Sequence, residues 1–75
     1  MFSAARNTAV FAAADRARAL EIWRQAASLV SIRWQVFLEA EPQSRDWAFA
    51  AYRAALDAEE AAATEVAGLS LRLAA

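Results

Sequence analysis

A single proline, Pro42, and a single glycine, Gly68, punctuate a chain of 75 residues. These two residue types oppose helix most strongly, and alanine, which favours it most, occurs 23 times. The chain therefore has one strong means of ending a helix, the segment Glu41-Pro42-Gln43-Ser44. Proline disfavours helix at the residue before it, and Ser44 can cap the helix that follows. The fold class expected is all-α: an antiparallel two-helix hairpin that dimerises into a four-helix bundle. It forms a single domain over residues 1–75, with a helix over about 8–40, a turn over about 41–44, and a helix over about 45–67 or to 73. Asp46 suits the positive end of the second helix dipole, and Gly68 is expected to close that helix as a left-handed cap. A break near Asp15 is the alternative for the first helix.

Spacing identifies the faces. Leu20, Trp23, Ala27, Val30, Trp34 and Phe37 alternate by three and four, a heptad seam. Phe11, Ile22, Leu29 and Val36 form a second stripe, with Ala26 between the two. In the second helix Ala48, Ala51, Ala55, Ala58 and Ala62 form a ridge continuing into Val66, Leu69 and Leu73, flanked by Phe49, Tyr52, Leu56 and Ala63. If the turn centres on Pro42, residues whose numbers sum to about 84 are level. Trp34 then lies near Ala50 and Ala51, and Trp23 near Ala61 and Ala62, large residues against small ones. The same register sets Arg16, Arg18 and Arg24 beside Asp57, Glu59, Glu60 and Glu65.

Each helix has an apolar arc wider than one neighbour covers, and a chain this short seldom buries enough surface to be stable alone. A second copy, or another helical protein, is the partner expected. The interface residues expected are Leu20, Ile22, Trp23, Leu29, Val30, Arg33, Trp34, Val36, Phe37, Trp47, Phe49, Tyr52, Leu56 and Glu59. Two are charged: Glu59 falls inside the apolar arc of the second helix, and Arg33 interrupts the Ile22, Leu29, Val36 stripe. A buried charge needs a partner or a route to water. The register separates them within one hairpin, so a pairing of Arg33 with Glu59 would have to be made across a dimer. Trp47, beside the turn, is the least constrained aromatic and a candidate hot spot.

The chain has no cysteine and no histidine, which excludes thiolate and imidazole metal sites, Ser-His and Cys-His nucleophile pairs and disulfides. The carboxylates read as a solvated acidic face, so no catalytic, cofactor or metal site is expected and the protein is read as a non-enzyme. A net charge of −1 argues against nucleic acid. No segment is an uninterrupted apolar run of spanning length, and the polar face of the first helix is not basic, so no membrane contact is expected. The apolar run from Phe2 to Ala14 is short for a secretory leader and meets Asp15, Arg16 and Arg18 at once, which favours a cytoplasmic location. All eight basic residues are arginine, a usage common in GC-rich bacterial coding sequence.

In size and architecture such a hairpin resembles the small secreted WXG-type proteins of actinobacteria. The motifs differ: the turn reads Pro42-Gln43-Ser44-Arg45-Asp46-Trp47-Ala48-Phe49 with no Trp-x-Gly, and four residues after Tyr52 stands Leu56 rather than an acid. The function expected is a helical protein–protein interaction module that self-associates and scaffolds or regulates a partner. The alternatives are a small obligate subunit covered by a larger enzyme or regulator, and a small-molecule-binding bundle with a pocket lined by Arg33, Glu59 or Tyr52.

Overall fold

The computed structural model describes the backbone of residues 4–74 and the side chains of residues 10–73. The start of the apolar N-terminal run, Phe2 and Ser3, lies outside the described residues. Helix α1 spans Ala4–Glu39, a 3-10 turn spans Pro42–Ser44, and helix α2 spans Arg45–Ala74. The two helices pack against each other, and no strand occurs among the described residues. The hairpin is a rod of 65 × 17 × 13 Å.

Helix α1 runs unbroken through Asp15 and starts before Thr8, as Ala4, Ala5 and Arg6 are all good helix formers. It closes at Ala40, whose N–H donates to the Phe37 carbonyl at 3.2 Å. Glu41 is extended, with φ −70° and ψ 157°, the conformation a residue before proline prefers. The cap expected from the Ser44 hydroxyl is not made among the described residues. The 3-10 turn feeds directly into α2, and its backbone already bonds the first amides: Ser44 N–H donates to the Glu41 carbonyl at 2.9 Å, and Arg45 N–H to that of Pro42. Asp46 occupies the first turn of α2 and Arg72 the last, each matching the local sign of the helix dipole.

Gly68 does not end α2. It lies inside the helix without a positive φ. Proline supplies a steric stop, whereas glycine only lowers helix propensity, and Leu69 and Leu73 continue the pattern of α2. A Cβ at Gly68 would meet nothing within 4 Å. Gly68→Ala is therefore expected to stabilise the protein by about 0.5–1 kcal/mol, read as a higher thermal midpoint by circular dichroism at fixed protein concentration. An unchanged or lower midpoint would show that the glycine has a role its surroundings do not reveal.

The core is a line of small residues. Ala19, Ala48, Ala55 and Val66 are the buried apolar side chains. With the half-buried positions they mark the contact seams: Ala19, Trp23, Ala26, Val30, Arg33 and Phe37 on α1, and Ala48, Tyr52, Ala55, Glu59, Ala62 and Val66 on α2. Both are heptad seams, rotated by one residue at alternate positions from those expected. Ala19, Ala26 and Arg33 replace Leu20, Ala27 and Trp34; on α2 Glu59 replaces Ala58, and Tyr52 joins Ala51, which is also half-buried. Alanine on the contact line lets the backbones approach closely, and the larger Leu20 and Trp34 fold over the edge of the contact.

Candidate functional site: the flanks of the hairpin

Two apolar flanks border the seams, and the helix register decides what meets on each. Trp34 lies over Tyr52 with ring centroids 5.0 Å apart, and Phe37 meets Phe49 at 5.3 Å. Trp34 also contacts Phe37 at 5.5 Å, and Phe49 contacts Tyr52 at 6.2 Å. These four rings line one flank near the turn, which we call the aromatic flank, with Trp34 and Phe49 still exposed at 40% and 41%; Leu20 and Leu56, both half-buried, continue it away from the turn. The tilted ring pairs have the geometry aromatic side chains prefer. Trp34 lies at the level expected, beside Ala50 and Ala51, but its ring partner there is Tyr52, which the seam rotation turns inward.

Glu59 has its partner inside the hairpin. The Trp23 indole Nε1–H donates to Glu59 Oε2 at 2.9 Å, with both side chains half-buried. A carboxylate on an apolar seam is tolerable when a donor of fixed direction meets one oxygen, and a hydrogen bond to a charged acceptor is stronger than a neutral one. Farther from the turn, Arg16 Nε donates to Ser70 Oγ at 2.9 Å. These two bonds and the ring pairs join positions whose numbers sum to between 82 and 86, so the hairpin register agrees with the one expected.

The juxtaposition of arginines and acids across the helices gives no ion pair between them among the described residues. The ion pairs are Arg18–Asp15, Arg24–Glu21 and Arg72–Glu65, each within one helix and exposed. Shorter tethers along a helix surface satisfy these arginines at less entropic cost than reaching across. Arg33 is half-buried and makes no ion pair among the described residues. Because Glu59 is engaged by Trp23, pairing with Arg33 across a dimer is not needed to accommodate it.

The other flank, which we call the isoleucine face, is open. On α1 it carries Ile22, Leu29, Ile32 and Val36, all exposed, from 38% at Val36 to 56% at Ile32. On α2 the facing strip is Trp47, Ala51, Ala54, Ala58, Ala61 and Glu65, spaced alternately by four and three. Trp47 stands 66% exposed at its turn end. At the opposite end the two strips border a groove of about 460 Å³ with an apolar floor of Ala12, Ala19, Ile22, Ala62 and Leu69. Its rim carries Asp15 and Arg18 from α1 and Glu65 and Arg72 from α2, the charges already paired along their own helices.

Arg33, Glu59 and Tyr52 do not line this groove, so it is not the polar pocket that a small-molecule site built on those residues would need. No cluster of three or more acidic residues able to hold a metal occurs among the described residues. No helix among them is long and apolar enough to cross a membrane. The residues named from the sequence thus separate into three groups. Trp23, Val30, Arg33, Phe37, Tyr52 and Glu59 form the seams; Leu20, Trp34, Phe49 and Leu56 form the aromatic flank; Ile22, Leu29, Val36 and Trp47 lie on the open face. Ile32 also belongs to the open face, and its three-residue step from Leu29 is the signal that marks it. Comparison of the chain with protein-family models, curated proteins and solved structures gives no match.

Proposed function

We propose that this protein is a non-enzymatic helical interaction module that self-associates, two hairpins pairing into a four-helix bundle that scaffolds or regulates another protein in the cytoplasm. One observation carries the reading: the hairpin leaves far more surface in water than a compact protein of its size. Its accessible surface is 5795 Å², whereas a compact monomer of this mass exposes about 4,500 Å². The excess of roughly 1,300 Å² compares with the ~800 Å² that each partner contributes to a standard interface. Twelve large apolar side chains among the described residues stand exposed, several of them on adjoining turns, the pattern of an association surface.

Sedimentation velocity of the purified chain tests the proposal. The expected result is a folded, monodisperse species of twice the 8.2 kDa chain mass at micromolar concentration. A folded monomer throughout that range would overturn it. A chain that is molten or insoluble until another protein is added would replace self-association by the obligate-subunit reading.

A further inference from the structure

The open face carries both a projection and a recess, and their spacing matches a two-fold axis. We infer that two copies pair through their isoleucine faces in antiparallel orientation, with Trp47 of each hairpin seated in the groove between the free ends of the other. This inference rests on the self-association proposed above and specifies its geometry.

The register places Trp47 of α2 level with about residue 38 of α1, since facing numbers sum to about 85. Leu29 then lies about nine residues from Trp47 along the rod, ~14 Å at 1.5 Å per residue. The groove centres near residues 17–18 of α1, about eleven residues, or ~17 Å, beyond Leu29 on the other side. The two distances differ by less than one helical turn. A two-fold axis running across the face at Leu29 therefore carries Trp47 of one copy onto the groove of the other. An isologous contact requires this relation, in which a feature and its receptor lie on the same surface at equal distances from the axis.

The remaining residues of the face fit the same operation. Leu29 meets its own counterpart, Ile22 meets Val36 of the other copy, and the alanine strip of α2 crosses its own copy, where small side chains permit close approach. Charges are compatible where Trp47 enters: it is flanked by Arg45 and Asp46, and the rim it meets has two acids and two arginines. Neither sign accumulates, so docking the ends meets no net repulsion. The aromatic flank also leaves Trp34 and Phe49 exposed, but the groove that can receive a projecting ring opens on the isoleucine face.

Because the chain has no cysteine, single cysteine variants report the geometry directly. Under mild oxidation Leu29→Cys is expected to cross-link to itself. Ile22→Cys and Val36→Cys should each stay uncross-linked alone and cross-link to one another when mixed. By sedimentation equilibrium, Trp47→Ala should raise the dimer dissociation constant at least about 30-fold with helicity unchanged, while Leu38→Arg, on the opposite side of α1, should leave it unchanged. A wild-type dimer in which Ile22→Cys cross-links to itself, or which Trp47→Ala leaves intact, overturns this geometry and leaves the proposed self-association standing. A wild-type monomer overturns both.

Discussion

Ala48→Leu is expected to lower the stability of the hairpin by about 2 kcal/mol, a fall in thermal midpoint of roughly 10 °C for a chain this short. Ala48 is the most buried apolar side chain described, at 1% exposure, and it opens the alanine line along which α2 touches α1. The added isopropyl group has no room at a side chain this buried. It would force the helices apart near the turn, where the packed rings of Phe37 and Phe49 depend on their approach. Overpacking of this kind typically costs 1–3 kcal/mol, a large share of what a domain of this size has. Ala50→Leu, at an exposed position two residues away, supplies the comparison, with a change expected within about 0.5 kcal/mol. Thermal unfolding followed by circular dichroism at one protein concentration distinguishes the two. Equal midpoints for both variants would mean that close helix approach at Ala48 is not what holds the turn end together.

The second large effect is expected at Trp23, where packing and polarity act through one side chain. Trp23→Ala should cost about 2–3 kcal/mol, less than the 3–5 kcal/mol of a fully buried tryptophan because the ring is half-buried. Trp23→Phe keeps most of the ring but removes the indole N–H and leaves Glu59 without this donor on an apolar seam. Its cost should be about 1 kcal/mol. Urea unfolding of Trp23→Phe, Glu59→Ala and the double variant gives the coupling, expected at about 1 kcal/mol. Zero coupling would mean that the 2.9 Å bond adds nothing beyond what water supplies, and that Glu59 is tolerated only by its partial exposure.

The helices, their antiparallel order and their register are all legible in the sequence, because Pro42 is the only strong stop and the turn around it leaves little freedom in which residues lie level. The rotation of the seams is not legible to the same degree. One residue turns a helix by about 100°, yet exchanging Leu20 for Ala19, or Ala27 for Ala26, leaves an apolar residue on the contact line either way. Arg33 and Trp34 should have decided the matter, since a charge is expected to avoid a seam. The structure settles it oppositely: Trp34 gains a tilted ring partner in Tyr52 by standing at the edge, and Arg33 is long enough to occupy the seam and remain partly exposed. Glu59 is recognisable from the sequence as an oddity, but its donor is not, because an indole is ordinarily counted as core. Trp47 is recognisable as a candidate hot spot. The groove complementary to it requires α1 and α2 together, at positions 12–22 and 62–72, and no local pattern announces it.

The uneven distribution of aromatic rings along the rod also bears on how the chain finds its fold. The ring pairs Phe37–Phe49 and Trp34–Tyr52 close loops of 12 and 18 residues, whereas the Arg16–Ser70 bond closes one of 54. Loop-closure entropy grows with the logarithm of length, so the longest of these closures costs about 1.3 kcal/mol more than the shortest if made first. The most extensive contacts thus stand where closure is cheapest. Closure beside Pro42 is therefore expected to precede closure toward the free ends, each turn shortening the search for the next. The groove between the free ends, floored largely by alanine, is then expected to be the last part of the hairpin to form and the first to open.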